Sequence, residues 1–197
     1  MYDLIIKNAC IYDGSGAPAF YGNLAVSQGK IVYVGNEVPG PATQTVDADG
    51  LALSPGFIDC HSHSDQSIFE DPRRLQVLRM GVTTELAGQC GFSSSPCAPD
   101  MNPAVEAYLK GFGTSPVFKT MKAQIEALSS LKMGTNQRYF TGHGMLRGSA
   151  MGLAARTATD DEIKIMQKNL FKQSVKVLRV YLRAFPMCLV FIAIATN

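Results

Sequence analysis

The chain has 197 residues, enough for one domain or for one domain and a small second domain. Because 46% of the residues are hydrophobic and 17% are charged, a buried core is expected and disorder is not. Its formal net charge of +2 argues against a basic surface for nucleic acid, and its first residues lack a signal-peptide pattern. Because its five cysteines are widely spaced and odd in number, no disulfide framework is expected, and we predict a reduced, cytoplasmic protein with no nucleic-acid or membrane partner.

Residues 1–53 contain short apolar segments separated by turns. Residues 4–12 are a candidate pair of strands, and Gln28-Gly29 separates two further segments that predict a hairpin. Short strands with frequent turns are typical of a small β-sandwich, so we assign residues 1–53 to the N-terminal part of one.

From Ser54 the pattern changes to alternating strands and helices. Strands are predicted over residues 57–60, 82–87 and 138–141. Helices are expected to begin at Asp71-Pro72 and Ser115-Pro116, and a capping box over 159–162 starts another. This alternation predicts the α/β class, with the first strands and helices of a TIM-like (β/α) barrel over residues 54–172.

Two histidines follow the first of these strands. In Ser54-Pro-Gly-Phe-Ile-Asp-Cys-His-Ser-His63 the apolar pair Phe57-Ile58 predicts a buried strand, and His61 and His63 are two residues apart. Side chains at i and i+2 of a strand point to the same face, so both imidazoles can reach one metal ion. Asp59 shares that face and can accept a hydrogen bond from a ligand imidazole.

The three predicted strands all end in distinctive clusters. These are His61-Ser-His63, Gly88-Gln-Cys-Gly91 and Gly142-His-Gly144. The carboxyl ends of the strands in a parallel barrel meet at one mouth, where such enzymes keep their chemistry. The sequence therefore predicts a single active site formed by the three clusters.

Several side chains near these clusters have two interpretations. Cys90 taken alone is either a buried, inert thiol or a metal ligand, whereas Cys60 faces away from His61 and is expected to pack. His143 either lines a substrate pocket or makes a structural hydrogen bond. Arg147 either binds a substrate carboxylate or makes a structural salt bridge.

Taken together, these motifs resemble the metal-dependent amidohydrolase superfamily, specifically its D-aminoacylase (N-acyl-D-amino-acid deacylase) branch. The resemblance extends from residue 1 to about residue 172. It is carried by Pro55-Gly-Phe-Ile-Asp-Cys-His-Ser-His-Ser-Asp65, Gly81-Val-Thr-Thr84, Gly88-Gln-Cys-Gly91 and Gly142-His-Gly-Met-Leu-Arg147.

The resemblance implies a β-sandwich joined to a TIM-like barrel, with one or two zinc ions at the barrel mouth. It assigns His61, His63 and Cys90 as metal ligands. The implied reaction is hydrolysis of the linear amide of a small N-acyl-D-amino acid to a D-amino acid and a carboxylate. The alternative is a cyclic-amide hydrolase of the dihydroorotase or hydantoinase type, against which Cys90 argues because other amidohydrolases carry a modified lysine or a glutamate there.

The sequence also departs from that family. A full barrel takes about 250 residues, so the barrel predicted here is incomplete. The family's later histidine ligands and its general base, an aspartate from a late barrel strand, are expected beyond the C-terminus. We therefore predict no catalytic residue within this chain. A catalytically inactive fragment is therefore the non-enzymatic alternative.

Residues 173–197 form an atypical basic and apolar tail. No acidic residue follows Glu162, and the final apolar run of about 13 residues, interrupted by Pro186, is too short to span a bilayer. We expect a frameshift near residue 173. The alternative is a genuine apolar strand or helix at the C-terminus.

Overall fold

The structure is a computed structural model that describes residues 1–37, 40–95, 107, 111, 118–171 and 192–194. It has the mixed α/β character predicted from the sequence, with two sheets. The chain divides into two compact units. Unit 1 contains the described residues of 1–57, 79–83 and 192–194, and unit 2 contains those of 58–78 and 84–171.

Unit 1 is built on a six-stranded sheet. Its strands are β1 (Tyr2–Ile11), β2 (Phe20–Ser27), β3 (Lys30–Gly35), β4 (Ala42–Asp47), β5 (Ala52–Ser54) and β9 (Ile192–Ile194). β1 pairs antiparallel with β2 and parallel with β4 and β5, while β3 lies at the outer side of β2. The predicted hairpin is confirmed: Gln28 and Gly29 both have positive φ, +52° and +70°, and connect β2 to β3.

Residues 4–11 form part of one long strand and Tyr12 lies beyond its end, so the predicted pair of strands is wrong. The register of β1 shifts between Ile6 and Ala9, where Asn8 has φ +56° and donates its N–H to Asn23 Oδ1 at 3.0 Å. In a regular strand Ile6 and Ala9 would face opposite sides of the sheet. The irregularity lets both join one apolar core with Ile11 and Leu24.

The second sheet has the order β6-β7-β8 and lies mostly in unit 2. Its strands are β6 (Phe57–Asp59), β7 (Val82–Ala87) and β8 (Asn136–Tyr139), with β7 parallel to β8. The α-helices described in this part of the chain are α1 (Leu75–Arg79), α2 (Met121–Ser129), α3 (His143–Met151) and α4 over residues 160–171. Helices alternate with strands as predicted, and α3 is an additional helix that the sequence pattern did not indicate.

The bounds of α1 and β8 differ from the predictions. α1 begins at Leu75 and not at Pro72, because Arg74 has φ +49°, a left-handed conformation that cannot continue a right-handed helix. The third strand was predicted over residues 138–141, but β8 begins at Asn136 and ends at Tyr139. The shift places residues 140–144 outside the strand.

The starts of the later helices show capping chemistry. α2 begins at Met121, because Thr120 Oγ1 accepts a hydrogen bond from the backbone N–H of Ala123 at 3.1 Å. The cap predicted at Ser115-Pro116 lies outside the described residues. The capping box of α4 is confirmed: Thr159 N–H donates to Glu162 Oε2 at 2.8 Å, and Glu162 N–H donates to Thr159 Oγ1 at 3.3 Å.

Most of the basic and apolar tail lies outside the described residues, including the predicted frameshift position near 173. Its described segment is β9, which pairs antiparallel with β5 and places Ala193 opposite Leu53. Among the described residues, no helix is long and apolar enough to cross a membrane.

Candidate metal centre

His61 and His63 lie in the loop that follows β6. The strand ends at Asp59, one residue earlier than predicted, so the alternation of side chains along a strand does not set the directions of the two histidines. Their ring centroids nevertheless lie 5.9 Å apart. The prediction that Phe57 and Ile58 are buried is wrong, since they are 47% and 60% exposed. The physical reason is that β6 is an edge strand of the described sheet, with β7 on one side only.

Asp59 contacts His61 through the main chain. Its Oδ1 accepts a hydrogen bond from the backbone N–H of His61 at 3.0 Å, whereas the sequence suggested an imidazole as its partner. This contact closes a two-residue turn of the type that aspartate side chains favour. Asp59 therefore shapes the backbone that carries His61, and a direct effect on the imidazole tautomer stays a prediction.

Cys90 lies in the turn after β7, held in a left-handed conformation with φ +54°. The turn starts at Gly88, where an added Cβ would lie 2.2 Å from the carbonyl oxygen of Phe140, so a side chain has no room there. The neighbouring Gln89 donates from Nε2 to the carbonyl oxygen of Cys60 at 2.9 Å. These contacts direct the exposed Cys90 thiol toward the loop that carries His61.

The three predicted ligands are brought together. His61 Nε2 lies 3.1 Å from Cys90 Sγ, and the ligand atoms of His61, His63 and Cys90 all lie within 4.8 Å of one another. Among the described residues, this is the one group of three histidine, cysteine or acidic side chains with such spacing. All three side chains are exposed, so an ion or a substrate can reach them from solvent.

The donor set fits zinc. Zinc in proteins is held by imidazole nitrogen and thiolate sulfur at about 2.0 to 2.3 Å, which separates neighbouring ligand atoms of a tetrahedron by roughly 3.5 Å. The observed spacing requires only small side-chain adjustments to reach that geometry. Three protein ligands with an open fourth position are the arrangement of catalytic zinc sites.

A buried carboxylate lies beneath the histidine loop. Glu85 on β7 is 1% exposed and forms an ion pair with Arg74, whose Nη2 donates to Glu85 Oε1 at 2.7 Å and whose Nε donates to Oε2 at 3.2 Å. Burial would raise the pKa of Glu85, but hydrogen bonds from Arg74 and Thr135 hold that pKa below its ordinary value. Glu85 is therefore a stable buried anion.

A second buried carboxylate connects the two ligand loops. Asp65 is fully buried, and its Oδ2 accepts a hydrogen bond from the Ser94 N–H at 2.8 Å, while Ser94 Oγ donates to the Asp65 carbonyl oxygen at 2.8 Å. Burial raises the pKa of Asp65, and the bonds from Ser94 oppose that rise. Because Asp65 follows His63 by two residues and Ser94 follows Cys90 by four, this contact fixes one loop against the other.

His143 and Arg147 lie on α3. His143, expected at a strand end, is exposed in the first turn of this helix after the N-cap Gly142. Arg147 Nη2 donates to the carbonyl oxygen of Ala154 at 2.9 Å, a structural contact with backbone. Substrate binding by either residue stays a prediction.

The sequence analysis missed the polar residues that support the ligands. Glu85, Asp65 and Gln89 were not assigned any role, although the structure gives each a contact with a ligand loop. One signal was available: a glutamate in the middle of the strand Val82-Thr-Thr-Glu-Leu-Ala87 must find a charged partner if it is buried. Its partner Arg74 is eleven residues away, which no local pattern reveals.

The chain is similar in sequence to an N-acyl-D-aspartate deacylase, a D-aminoacylase and an N-acyl-D-glutamate deacylase. No family model matches the chain. The chain is 36% identical over 167 residues to an N-acyl-D-aspartate deacylase of Alcaligenes xylosoxydans xylosoxydans, and 32% identical over 166 residues to a D-aminoacylase of the same organism. Each alignment covers 84% of this chain but only 33% and 34% of the relative, so the chain spans about one third of their length.

Solved structures give the same relationship. An N-acyl-D-glutamate deacylase from Bordetella bronchiseptica, complexed with zinc and a phosphonate inhibitor that mimics a tetrahedral intermediate, superposes with a TM-score of 0.77 at 34% identity. A D-aminoacylase described as defining a novel subset of amidohydrolases superposes with the same TM-score at 32% identity. Each comparison covers 86% of this chain and 35% or 36% of the other.

Proposed function

We propose that this chain supplies the metal-binding part of a zinc-dependent hydrolase of N-acyl-D-amino acids. The proposal is supported by the similarity of the chain to D-aminoacylases and related deacylases. The observation that carries the proposal is the cluster of His61, His63 and Cys90, whose ligand atoms lie within 4.8 Å of one another. Along the chain, we assign residues 1–53 to a β-sandwich portion, 54–172 to the first part of a barrel, and 173–197 to an atypical tail.

The zinc site takes one or two ions, in keeping with a solved D-aminoacylase structure that has a binuclear metal centre. When bound, zinc polarises an amide carbonyl and lowers the pKa of a bound water. When zinc is bound, His61 and His63 would each supply a ring nitrogen to it, and Cys90 would supply its sulfur. The substrate is a small N-acyl-D-amino acid, and the products are a carboxylate and a D-amino acid.

This chain's own residues fix where the ligands stand. Asp59 sets the turn that carries His61, and the contact between Asp65 and Ser94 joins the loop of His63 to the loop of Cys90. Such outer contacts orient ligands and raise metal affinity. His143 and Arg147 are proposed to line the substrate pocket, on the first and second turns of α3.

The cyclic-amide alternative has less support. A dihydroorotase of Solibacter usitatus is 24% identical over 179 residues, well below the identities of the D-amino-acid deacylases. The thiol of Cys90 at the metal cluster also favours the D-aminoacylase branch over a site with a modified lysine.

The metal-site proposal is tested by zinc content and by thiol protection. Cys90→Ser is expected to lose most of the zinc bound per chain, while Cys60→Ser, which changes a second exposed cysteine outside the cluster, keeps it. In the unmodified chain, zinc is expected to slow alkylation of Cys90 by iodoacetamide and to leave Cys60 unprotected, as read by peptide mass spectrometry. Undiminished zinc in Cys90→Ser would remove Cys90 from the ligand set.

The activity proposal is tested separately. The zinc-loaded chain is incubated with N-acetyl-D-aspartate, N-acetyl-D-glutamate and N-acetyl-D-leucine, with the L-enantiomers as controls, and release of the D-amino acid is measured. Release that depends on Cys90 would exclude the inactive-fragment alternative. A chain that binds zinc but releases no amino acid would support that alternative.

A further inference from the structure

We infer that Glu85 is a positioning residue for the metal centre, and that it acts on the two histidines through the hydroxyl of Ser62. The inference rests on the proposed function in one respect only, namely that the cluster binds a metal ion. Glu85 itself touches neither histidine nor the cysteine; it contacts the residue between the histidines.

Glu85 receives five hydrogen bonds from four residues. Its Oε1 accepts from Arg74 Nη2 at 2.7 Å and from Ser62 Oγ at 3.1 Å. Its Oε2 accepts from Arg74 Nε at 3.2 Å, from Thr135 Oγ1 at 2.7 Å and from Gln137 Nε2 at 2.9 Å. A buried carboxylate with this many donors has little freedom to rotate, since any rotation would break several charge-assisted bonds.

Ser62 transmits this rigidity to the ligands. Its hydroxyl donates to Glu85 and accepts the backbone N–H of Ser64 at 3.0 Å. The main chain is therefore fixed on both sides of His63. Ser64 Oγ in turn donates to Gln137 Oε1 at 2.8 Å, which attaches the same loop to β8.

The physical advantage is preorganisation. A surface loop that must order itself around an ion loses conformational entropy for every residue that becomes fixed, and that loss weakens binding. Here the loop is already held by buried hydrogen bonds before an ion arrives. Mutation of such outer partners typically lowers metal affinity by about 10- to 100-fold.

A purely structural role for Glu85 would predict a different outcome. If Glu85 only filled the interior, removal of any one of its hydroxyl partners would change stability alone. Thr135 provides the matched comparison, because it also donates one hydroxyl hydrogen bond to Glu85 and is also buried. Its side chain bonds Gln137, and in the described part of the chain it has no direct hydrogen bond to residues 61–64.

The test measures zinc affinity of the full chain by competition with a chromophoric chelator, together with thermal unfolding of the metal-free protein. Ser62→Ala is expected to weaken zinc binding by roughly 10-fold or more, and Thr135→Val by less than about 2-fold, with similar shifts in unfolding temperature. Equal losses of zinc affinity in the two variants would overturn the inference.

A double-mutant cycle assigns the effect to the contact between Ser62 and Glu85. If Glu85 acts through Ser62, Ser62→Ala combined with Glu85→Gln weakens zinc binding less than the sum of the two single effects. Additive effects would show that the residues act separately and would overturn the inference. If the unmodified chain binds no zinc, both the proposed function and this inference are wrong. If it binds zinc but Ser62→Ala and Thr135→Val lose the same zinc affinity, only this inference is wrong.

Discussion

The two units of this protein fill their interiors with different chemistry. The core of unit 1 is apolar and consists of Ile6, Ala9, Ile11, Leu24, Val26, Ala48 and Leu53. The interior of unit 2 contains apolar side chains but also many buried polar groups: Ser64, Asp65, Glu85, Ser94, Ser95, Gln124, Thr135 and Gln137. The core of unit 1 is thus filled with apolar side chains, whereas the interior of unit 2 also contains a network of hydrogen-bonded polar side chains.

The difference follows what each region has to do. Apolar burial stabilises a fold without fixing any one atom to within a fraction of an ångström. A metal site needs that fixing, because its ligand atoms must converge on one point. The polar interior of unit 2 lies around the loops that carry His61, His63 and Cys90, where position matters most.

Glu85→Ala should destabilise the polar interior of unit 2 more than the changes that follow. It removes the charge that balances Arg74, whose side chain is only 16% exposed, and losing one member of a buried ion pair costs about 3 to 5 kcal/mol. Hydrogen exchange followed by mass spectrometry should show lost protection in peptides of β7 and β8, with β1 and β2 unchanged. Unchanged protection in β7 would mean that the network contributes little to unit 2.

Leu24→Ala is the matching change in the apolar interior. Leu24 is 3% exposed within the core of unit 1, and its truncation should cost about 2 to 5 kcal/mol by leaving a cavity. Protection should now be lost in β1 and β2. Zinc affinity of the folded protein should stay within about 2-fold, whereas in Ser62→Ala it falls. A parallel fall in zinc affinity for Leu24→Ala would contradict the contrast between the two interiors.

Acid should lower the stability of unit 2 through protonation of Glu85, and this loss should be smaller than those caused by Glu85→Ala and Leu24→Ala. The pKa of Glu85 in the folded protein lies below its ordinary value of 4.5, so the charged form is the one that folding favours. That stabilisation is present above pH 4.5 and is lost as the pH falls through the lower folded pKa. Protection in β7 should decrease in this range, and Glu85→Gln should flatten the decrease. The same slope in both proteins would exclude Glu85 as the titrating group.

Local chemistry made several features predictable. Gln28-Gly29 and the Thr159-to-Glu162 capping box depend on contacts within a few residues, and both are present. The start of α1 was not predictable in this way, because Arg74 adopts a left-handed conformation while its side chain reaches Glu85. The irregularity at Asn8 likewise depends on Asn23 in the neighbouring strand.

The sequence by itself determined the residue types of the candidate metal site and the family they resemble, since the spacing of two histidines and the glycines around Cys90 are visible along the chain. Only the tertiary structure decided that the histidines lie in a loop, that Cys90 Sγ comes within 3.1 Å of His61, and that Glu85 and Asp65 hold the loops in place. The physical reason is that these contacts join residues 23 to 29 positions apart, and their geometry depends on how strands and loops pack.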